Sequence, residues 1–127
     1  MVKPGRTLFL ILPHGGRTFD RGRTLTQLEH HIEDYGNKVI ASDTSHHDKF
    51  EKFFIRQLDH HWLSEAKKED GDYDFEYIVK NGHMHYHVWT QNEMIDILEY
   101  IGVEILMVID ELPGRKDSFA VISKLPA

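Results

Sequence analysis

The sequence predicts an α/β fold with a short sheet, on the basis of three observations. An apolar, strand-like run lies near the start of the chain, at Arg6 to Pro13. Two more strand-like runs lie near the end of the chain, at Val103 to Ile109 and Ser118 to Lys124. The segments between them repeat their apolar residues with helical spacing. A chain of 127 residues has the length of one domain, so residues 1–127 are predicted to form a single domain.

The first strand, Arg6 to Pro13, is apolar at nearly every position. Such a run is typical of a central strand that is covered on both faces of its sheet. The next segment, His14 to Arg23, is rich in glycine and arginine and is predicted to be a loop. It leaves the carboxyl end of the strand, which is where open α/β sheets bind their ligands.

A helical insert is predicted next, over about residues 24–63. Thr26 and Glu29 have the spacing of a capping box, so the first helix is expected to begin near Thr26. Its apolar face consists of Leu28, Ile32 and Tyr35. The helix is expected to end at Gly36.

A second helix of the insert is predicted from about His47 to Leu63, because apolar residues recur at helical spacing. The members of that stripe are Phe50, Phe53, Phe54, Leu58 and Trp62. Residues 64–74 carry many charges and are predicted to form a solvated loop. Phe75 to Val79 is short and apolar enough to be either a strand or a helix.

The last third of the chain predicts a helix and a strand pair. His83 to Trp89 alternates as a strand does, although an extended loop fits equally well. Thr90 and Glu93 form a second capping-box pattern, which opens a helix that Gly102 ends. The inward residues of that helix are Met94, Ile97, Leu98 and Ile101. Residues 112–117 join the final two strands through a short turn, so those strands are expected to be antiparallel.

Composition excludes several classes of function. Lys and Arg number 15 against 21 Asp and Glu, a net charge of −6 that argues against a nucleic-acid partner. With no cysteine, the chain has no disulfide, thiolate metal site or cysteine nucleophile. No apolar stretch approaches the ~20 residues of a membrane span, and no signal-peptide pattern is present. We therefore expect a cytoplasmic protein with no membrane partner.

Ten histidines stand out in the composition. If the segment before Trp89 is a strand, His83, His85 and His87 project from one face, and imidazole is a common ligand of transition metals. His47 and His61 lie about 21 Å apart on one predicted helix, so they cannot share an ion. Because cysteine and an H-E-x-x-H pattern are both absent, no metal site is predicted.

The glycine- and arginine-rich loop places one carboxylate, Asp20, among Arg17, Arg21 and Arg23. Two interpretations are open. An ion pair with Asp20 would fix the loop, whereas the remaining guanidiniums would suit recognition of an anion. Trp89 is similarly open, since its ring would either stack on a ligand or anchor the core.

Two blocks carry a family resemblance. They are LFLILPHGGRTFDRGRTLTQLEHHIEDY and HMHYHVWTQNEMIDILEYIG, and Val2 to Gly5 (VKPG) precedes the first. This chain resembles the C-terminal half of a bacterial subgroup of class I S-adenosylmethionine-dependent methyltransferases, which carries TFDR…LT-x-LEH and H-x-HVWT stretches. The resemblance implies a partial Rossmann-like sheet made of strand 5, a helical insert, a helix and antiparallel strands 6 and 7. The strand order of the whole family sheet is 3-2-1-4-5-7-6.

The chain also departs from the family. Class I methyltransferases hold their cofactor with an acidic-x-Gly-x-Gly loop, and no G-x-G occurs here. Strands one to four have no counterpart, and Arg6 replaces the second glycine of the usual turn. The resemblance therefore implies the acceptor-side portion of a methyltransferase that is not catalytic alone. S-adenosylmethionine would be the cofactor of a full-length parent, and none is predicted for this chain by itself.

The resemblance also implies roles for individual residues near the methyl acceptor. The residues implied in catalysis are His14, Asp20, His85 and His87. The residues implied in substrate binding are Arg17, Arg23, His30 and Trp89. It implies no cofactor-binding residue and no metal ligand.

Two other interpretations of the sequence stay open, namely a stand-alone histidine-rich, metal-binding enzyme and a non-catalytic oligomerising module. Three strands are too few to cover themselves, and in the family order the run from Arg6 to Pro13 would be a bare edge. Bare apolar edges recruit another strand. We therefore expect a partner, either a second copy in a homodimer or an N-terminal half-domain.

Overall fold

The computed structural model describes residues 2–40, 55–57, 61–83 and 85–127, with only the backbone of 61 and 62. The described chain is mixed α/β, which confirms the predicted class. It divides into two compact units, one made of residues up to Glu33 and from His87 onward, the other of Asp34 to Tyr86. No helix in the described part of the chain is long and apolar enough to cross a membrane.

The first unit contains a three-stranded sheet whose strands match the predicted runs. They are β1 (Thr7–Pro13), β2 (Glu104–Ile109) and β3 (Ser118–Lys124). Their order is β1-β3-β2, and both neighbouring pairs are antiparallel, as predicted for β2 and β3. Because β3 is antiparallel to both β1 and β2, these two strands run parallel to each other. Their carboxyl ends therefore lie at the same edge of the sheet, which we call the carboxyl edge.

The α-helices whose bounds the structure describes are α1 (Leu28–Gly36), α2 (Phe75–Lys80) and α3 (Gln91–Tyr100). Two 3-10 turns accompany them, at Gly15–Arg17 and His61–Ala66. The strand-or-helix alternative over 75–79 is thus resolved as helix. Asp74 caps α2, since its side chain accepts a hydrogen bond from the Tyr77 backbone N–H at 3.0 Å.

The core of the first unit lies between α3 and one face of the sheet. Its buried members are Met94, Leu98, Val103, Phe119 and Val121. The predicted capping box at the start of α3 is confirmed, because Thr90 and Glu93 exchange side-chain and backbone hydrogen bonds. Ile101, predicted to face inward, is 58% exposed because α3 has already ended at Tyr100.

Two predictions about covered faces are wrong. The run of β1 is not covered on both sides, since Phe9 and Ile11 are 53% and 43% exposed. The other face of β1 carries Leu8, Leu10 and Leu12, which are partly buried against the core. The apolar face predicted for α1 is not buried either, and Tyr35 on it is 88% exposed.

The start of α1 also differs from the prediction. The helix begins at Leu28, two residues after Thr26. The Thr26 hydroxyl accepts a hydrogen bond from the Val88 backbone N–H at 3.0 Å instead of capping the helix. A partner distant in sequence therefore competes successfully with the local capping pattern. The predicted end at Gly36 is confirmed.

The second unit has its own small core, formed by Ile55, Leu63, Ala66 and Ile78. Most of the helix predicted from about His47 to Leu63 (47–54 and 58–60) lies outside the described residues. Residues 55–57 are helical, and the predicted end at 61–63 belongs instead to the 3-10 turn His61–Ala66. The charged segment 64–74 is joined to Arg56 by an ion pair at 2.6 Å between Arg56 Nε and Asp72 Oδ1. The hydrogen bond from Arg56 lowers the pKa of Asp72 to about 2.

Candidate functional site

The loop that follows β1 meets the segment before α3 at the carboxyl edge of the sheet. The Gly15 N–H donates to the Trp89 carbonyl at 2.8 Å, and the Thr26 N–H donates to the Val88 carbonyl at 2.6 Å. The approach is so close that a Cβ on Gly15 would lie 2.5 Å from Val88 Cγ1. The two sequence blocks of the resemblance therefore lie in direct contact. The segment from 83 to 89 forms no strand among its described residues, so the extended-loop alternative holds.

His14 is positioned by the turn that it opens. Its Nδ1 accepts a hydrogen bond from the Gly16 N–H at 3.1 Å, and its ring meets that of Phe119 edge-on at 6.1 Å. In the neutral form, the proton must then sit on Nε2, because Nδ1 is already an acceptor. Neutral His14 therefore carries an Nε2–H donor at the carboxyl edge of the sheet.

The carboxyl group of Glu93 interacts electrostatically with His14. Burial acts to raise the pKa of its carboxyl group, but hydrogen bonds from the hydroxyl and backbone of Thr90 outweigh it. The nearby charge of His14 acts in the same direction, so the pKa of Glu93 is lowered from its ordinary value. Glu93 is therefore ionised near neutral pH.

Arg17 is held by Asp110, a residue that the sequence did not single out. The guanidinium donates to the Asp110 backbone carbonyl, and its Nη1 lies 3.5 Å from the Asp110 carboxylate. Gln91 Nε2 donates to the same carboxylate at 2.5 Å. A signal for Asp110 was present, because it directly follows β2, whose carboxyl end shares an edge with that of β1.

Asp20 and Arg23 form a buried ion pair. Their side chains are each only 2% exposed, and Arg23 Nη1 lies 2.5 Å from Asp20 Oδ1. Asp20 also contacts Thr18, whose side-chain hydroxyl donates to Asp20 Oδ2 at 3.4 Å. The geometry matches the interpretation in which this pair fixes the loop, and it leaves neither group facing solvent.

Three imidazoles and an indole form a cluster in the first unit. The rings of His31 and His87 lie 4.4 Å apart between centroids, and those of His30 and His87 lie 5.5 Å apart. Trp89 stacks on His87 at 6.0 Å with a 20° tilt. We call His30, His31, His87 and Trp89 the imidazole cluster. His30 is half-buried, as is His85 two residues before His87.

One more carboxylate lies against this cluster. The side-chain donor atoms of His30, Asp34 and His87 all lie within 4.8 Å of one another, and all three residues are half-buried. His30 and Asp34 are one turn apart on the single helix α1. Asp34 was missed in the sequence, although its spacing of four residues from His30 on a predicted helix was a usable signal.

Buried hydrogen-bonding atoms also mark the carboxyl edge. Arg17 Nε, Trp89 Nε1 and Gln91 Oε1 are buried without a hydrogen-bond partner among the described residues. Such atoms are rare in folded proteins, because each one costs the free energy of its lost hydration. Unsatisfied polar atoms therefore lie on three residues next to this edge of the described chain.

Comparison with known proteins does not identify the chain. No family model, curated protein or solved structure matches it. The case for a function therefore depends on the residues and the geometry described above.

Proposed function

We propose that this chain is the acceptor-side portion of a class I S-adenosylmethionine-dependent methyltransferase, with a partial Rossmann-like sheet. The observation that carries the proposal is the strand order β1-β3-β2, with the antiparallel strand in the middle. The resemblance implies this same arrangement for strands five, seven and six. The proposal includes a cytoplasmic location and no nucleic-acid partner, as the acidic net charge favours.

The contact between the two motif blocks supports the same proposal. The hydrogen bond from Gly15 to the Trp89 carbonyl brings the loop after β1 against the segment before α3. Both segments lie at the carboxyl edge of the sheet, where open α/β sheets bind their ligands. A methyl acceptor bound there would contact residues from both blocks.

The polar atoms of this edge suggest the chemistry of the acceptor. Arg17 and Trp89 each hold a buried N–H donor without a partner in the described part of the chain. The two terminal nitrogens of Arg17, Nη1 and Nη2, each contact Asp110. The free Nε of a guanidinium fixed in this way suits an oxygen of the acceptor, above all an anionic one.

The buried pair of Asp20 and Arg23 has a supporting role in this proposal. Because both side chains are almost fully buried, they hold the loop in place while Arg17 faces the acceptor. His14 adds an Nε2–H donor from the same turn. Positioning of this kind is what a displacement at a methyl group requires of the acceptor side.

The residues present do not fit S-adenosylmethionine itself. The double-glycine turn is engaged internally, since Gly15 N–H donates to Trp89 and Gly16 N–H donates to His14. The space beside Gly15 is filled by Val88. This turn therefore offers no cradle for a nucleoside cofactor, and the methyl donor would have to be held by another polypeptide segment.

Two measurements test the proposal. Calorimetry with S-adenosylmethionine is expected to show no micromolar binding by this chain alone, and the coding sequence upstream of Met1 is expected to contain an acidic-x-Gly-x-Gly motif. A protein made from the joined frame should transfer labelled methyl groups to an acceptor in a metabolite extract. Arg17→Ala should slow that transfer without weakening cofactor binding, whereas Arg115→Ala, in an exposed turn, should not.

The contrary results are equally definite. Micromolar affinity of the isolated chain for S-adenosylmethionine would overturn the proposal. So would an upstream sequence without the glycine motif, or transfer by the joined protein that is unaffected by Arg17→Ala.

A further inference from the structure

The imidazole cluster carries a second inference, which does not depend on methyl transfer. We propose that His30, Asp34 and His87 bind one divalent first-row transition-metal ion such as Zn²⁺. Their donor atoms already lie within 4.8 Å of one another. Two ligands at about 2.1 Å from a zinc ion lie at most about 4.2 Å apart, so small side-chain movements close the site.

The local structure brings the ligands together without strain. His30 and Asp34 project from adjacent turns of α1, which is continuous from Leu28 to Gly36. His87 comes from the segment that the Thr26–Val88 hydrogen bonds hold beside the start of this helix. Two ligands four residues apart on a helix and a third from a nearby loop are a common way to build a metal site.

The donor set selects the class of ion. Two imidazoles and one carboxylate suit zinc and neighbouring transition ions, while magnesium and calcium prefer sites made of oxygen ligands only. Three protein ligands leave at least one coordination position open. The site would therefore accept water or an exogenous ligand, as catalytic and regulatory metal sites do, and it differs from closed structural sites with four protein ligands.

Neighbouring rings restrict the third ligand. His31 and Trp89 pack on the His87 imidazole, with centroids 4.4 Å and 6.0 Å away. Ligands whose rings are held by surrounding groups lose little freedom when the ion binds. This packing also places an indole close enough to the ion to report its binding.

That indole makes a direct test practical. The chain has two tryptophans, so Trp62→Phe leaves Trp89 as the sole tryptophan, whose fluorescence can be excited selectively over that of the tyrosines. Co²⁺ added to this tag-free variant is expected to quench Trp89 with saturation at one equivalent, because a paramagnetic ion would sit beside the stacked ring. Excess Zn²⁺, which does not quench, should restore the fluorescence by displacing Co²⁺.

Ligand variants in the same background identify the site. His30→Ala and His87→Ala should each weaken Co²⁺ binding by at least about 100-fold, since changes in the outer shell of a metal site alone cost 10–100-fold. Asp34→Asn should also weaken it. His83→Ala is the matched control, because His83 is a half-buried histidine that packs against Tyr77 instead.

Circular dichroism of each variant keeps the outcome interpretable. If His87→Ala does not fold, His30→Ala and Asp34→Asn, on the exposed helix α1, still test the site. Quenching that none of the folded ligand variants reduces would mean adventitious binding by the remaining histidines and would overturn the proposal. So would an equal loss in His83→Ala, or no saturable quenching at all.

Discussion

The buried pair of Asp20 and Arg23 shows how a single residue can lie at a site without facing its ligand. Removing one partner of a buried ion pair leaves an uncompensated charge and costs about 3–5 kcal/mol. Both side chains are 2% exposed, so their contribution is to the shape of the loop. His14 and Arg17, on the same loop, are the residues that this arrangement leaves at the carboxyl edge.

Gly15 is the residue on which the contact between the two motif blocks depends. A methyl group at its Cβ position would lie 2.5 Å from Val88 Cγ1 and 3.3 Å from the Trp89 carbonyl oxygen. We expect Gly15→Ala to lower the free energy of unfolding by about 1–3 kcal/mol, the usual cost of overpacking. Urea unfolding followed by circular dichroism measures this change.

Gly36→Ala provides the comparison for that measurement. No heavy atom lies within 4 Å of the Cβ position at Gly36, so alanine there should leave stability unchanged or slightly raise it. Equal stabilities for Gly15→Ala and Gly36→Ala would contradict the close approach of the loop to Val88.

Among the elements, α3 has the most completely defined start. The Thr90 hydroxyl and backbone N–H both donate to Glu93, at 2.6 Å and 2.8 Å. Although burial acts to raise the pKa of Glu93, these hydrogen bonds lower it from its ordinary value of 4.5. A carboxyl group whose pKa is lower in the folded protein stabilises it above its unfolded pKa, and this contribution is lost as the pH falls through the folded pKa.

The lowered pKa of Glu93 predicts how the effect of Glu93→Gln on stability changes with pH. The wild-type protein should have the higher melting temperature near neutral pH, and the difference should shrink as the pH is lowered below about 4.5. Glu99→Gln, an exposed position on the same helix, should show no such convergence. A Glu93→Gln difference that stays constant between pH 7 and 3 would contradict an ionised capping carboxylate.

Helix α1 is the element in which local and long-range forces conflict. Its apolar stripe predicts a buried face, yet none of its residues is buried in the described structure. The same helix carries His30 and Asp34 toward His87. Its position therefore follows from the Thr26–Val88 hydrogen bonds and from contacts of its polar residues.

At the scale of the molecule, the exposed apolar residues on one face of the described sheet have the largest consequence. Phe9 and Met107 both pair with Ile122 and so lie on one face of the sheet, and they are 53% and 55% exposed. β1 also has an unpaired edge in the described sheet, with no charged residue between Thr7 and Pro13. Exposed apolar edges of this kind pair with other strands.

We therefore propose that the chain self-associates through this face when no half-domain covers it. Light scattering at micromolar concentration should give a mass above 14.9 kDa. Phe9→Lys should shift the protein toward the monomer, because it buries a charge in the contact, while Tyr100→Lys, at an exposed position on α3, should not. A stable, monodisperse wild-type monomer would contradict the proposal.

Local patterns in the sequence determined most of the elements. The apolar runs of β1, β2 and β3, the turn that makes the last pair antiparallel and the capping box of α3 each depend on residues close together in the chain. These features were predictable because their physical causes, which are alternation, turn length and helix capping, act over a few residues.

Tertiary structure alone decided which residues meet. Asp110 contacts Arg17 because the strand order brings the carboxyl ends of β1 and β2 to the same edge of the sheet. Thr26 bonds to Val88 because the two sequence blocks lie in contact. Asp34 lies near His87 because both it and His30 are on α1. These contacts join residues 50 or more positions apart, and their formation depends on how the whole chain buries its apolar surface. Periodicity and composition do not specify such long-range contacts, so the sequence indicated the loop after β1 as a candidate site, but the partners of Arg17, Thr26 and His87 emerged only from the fold.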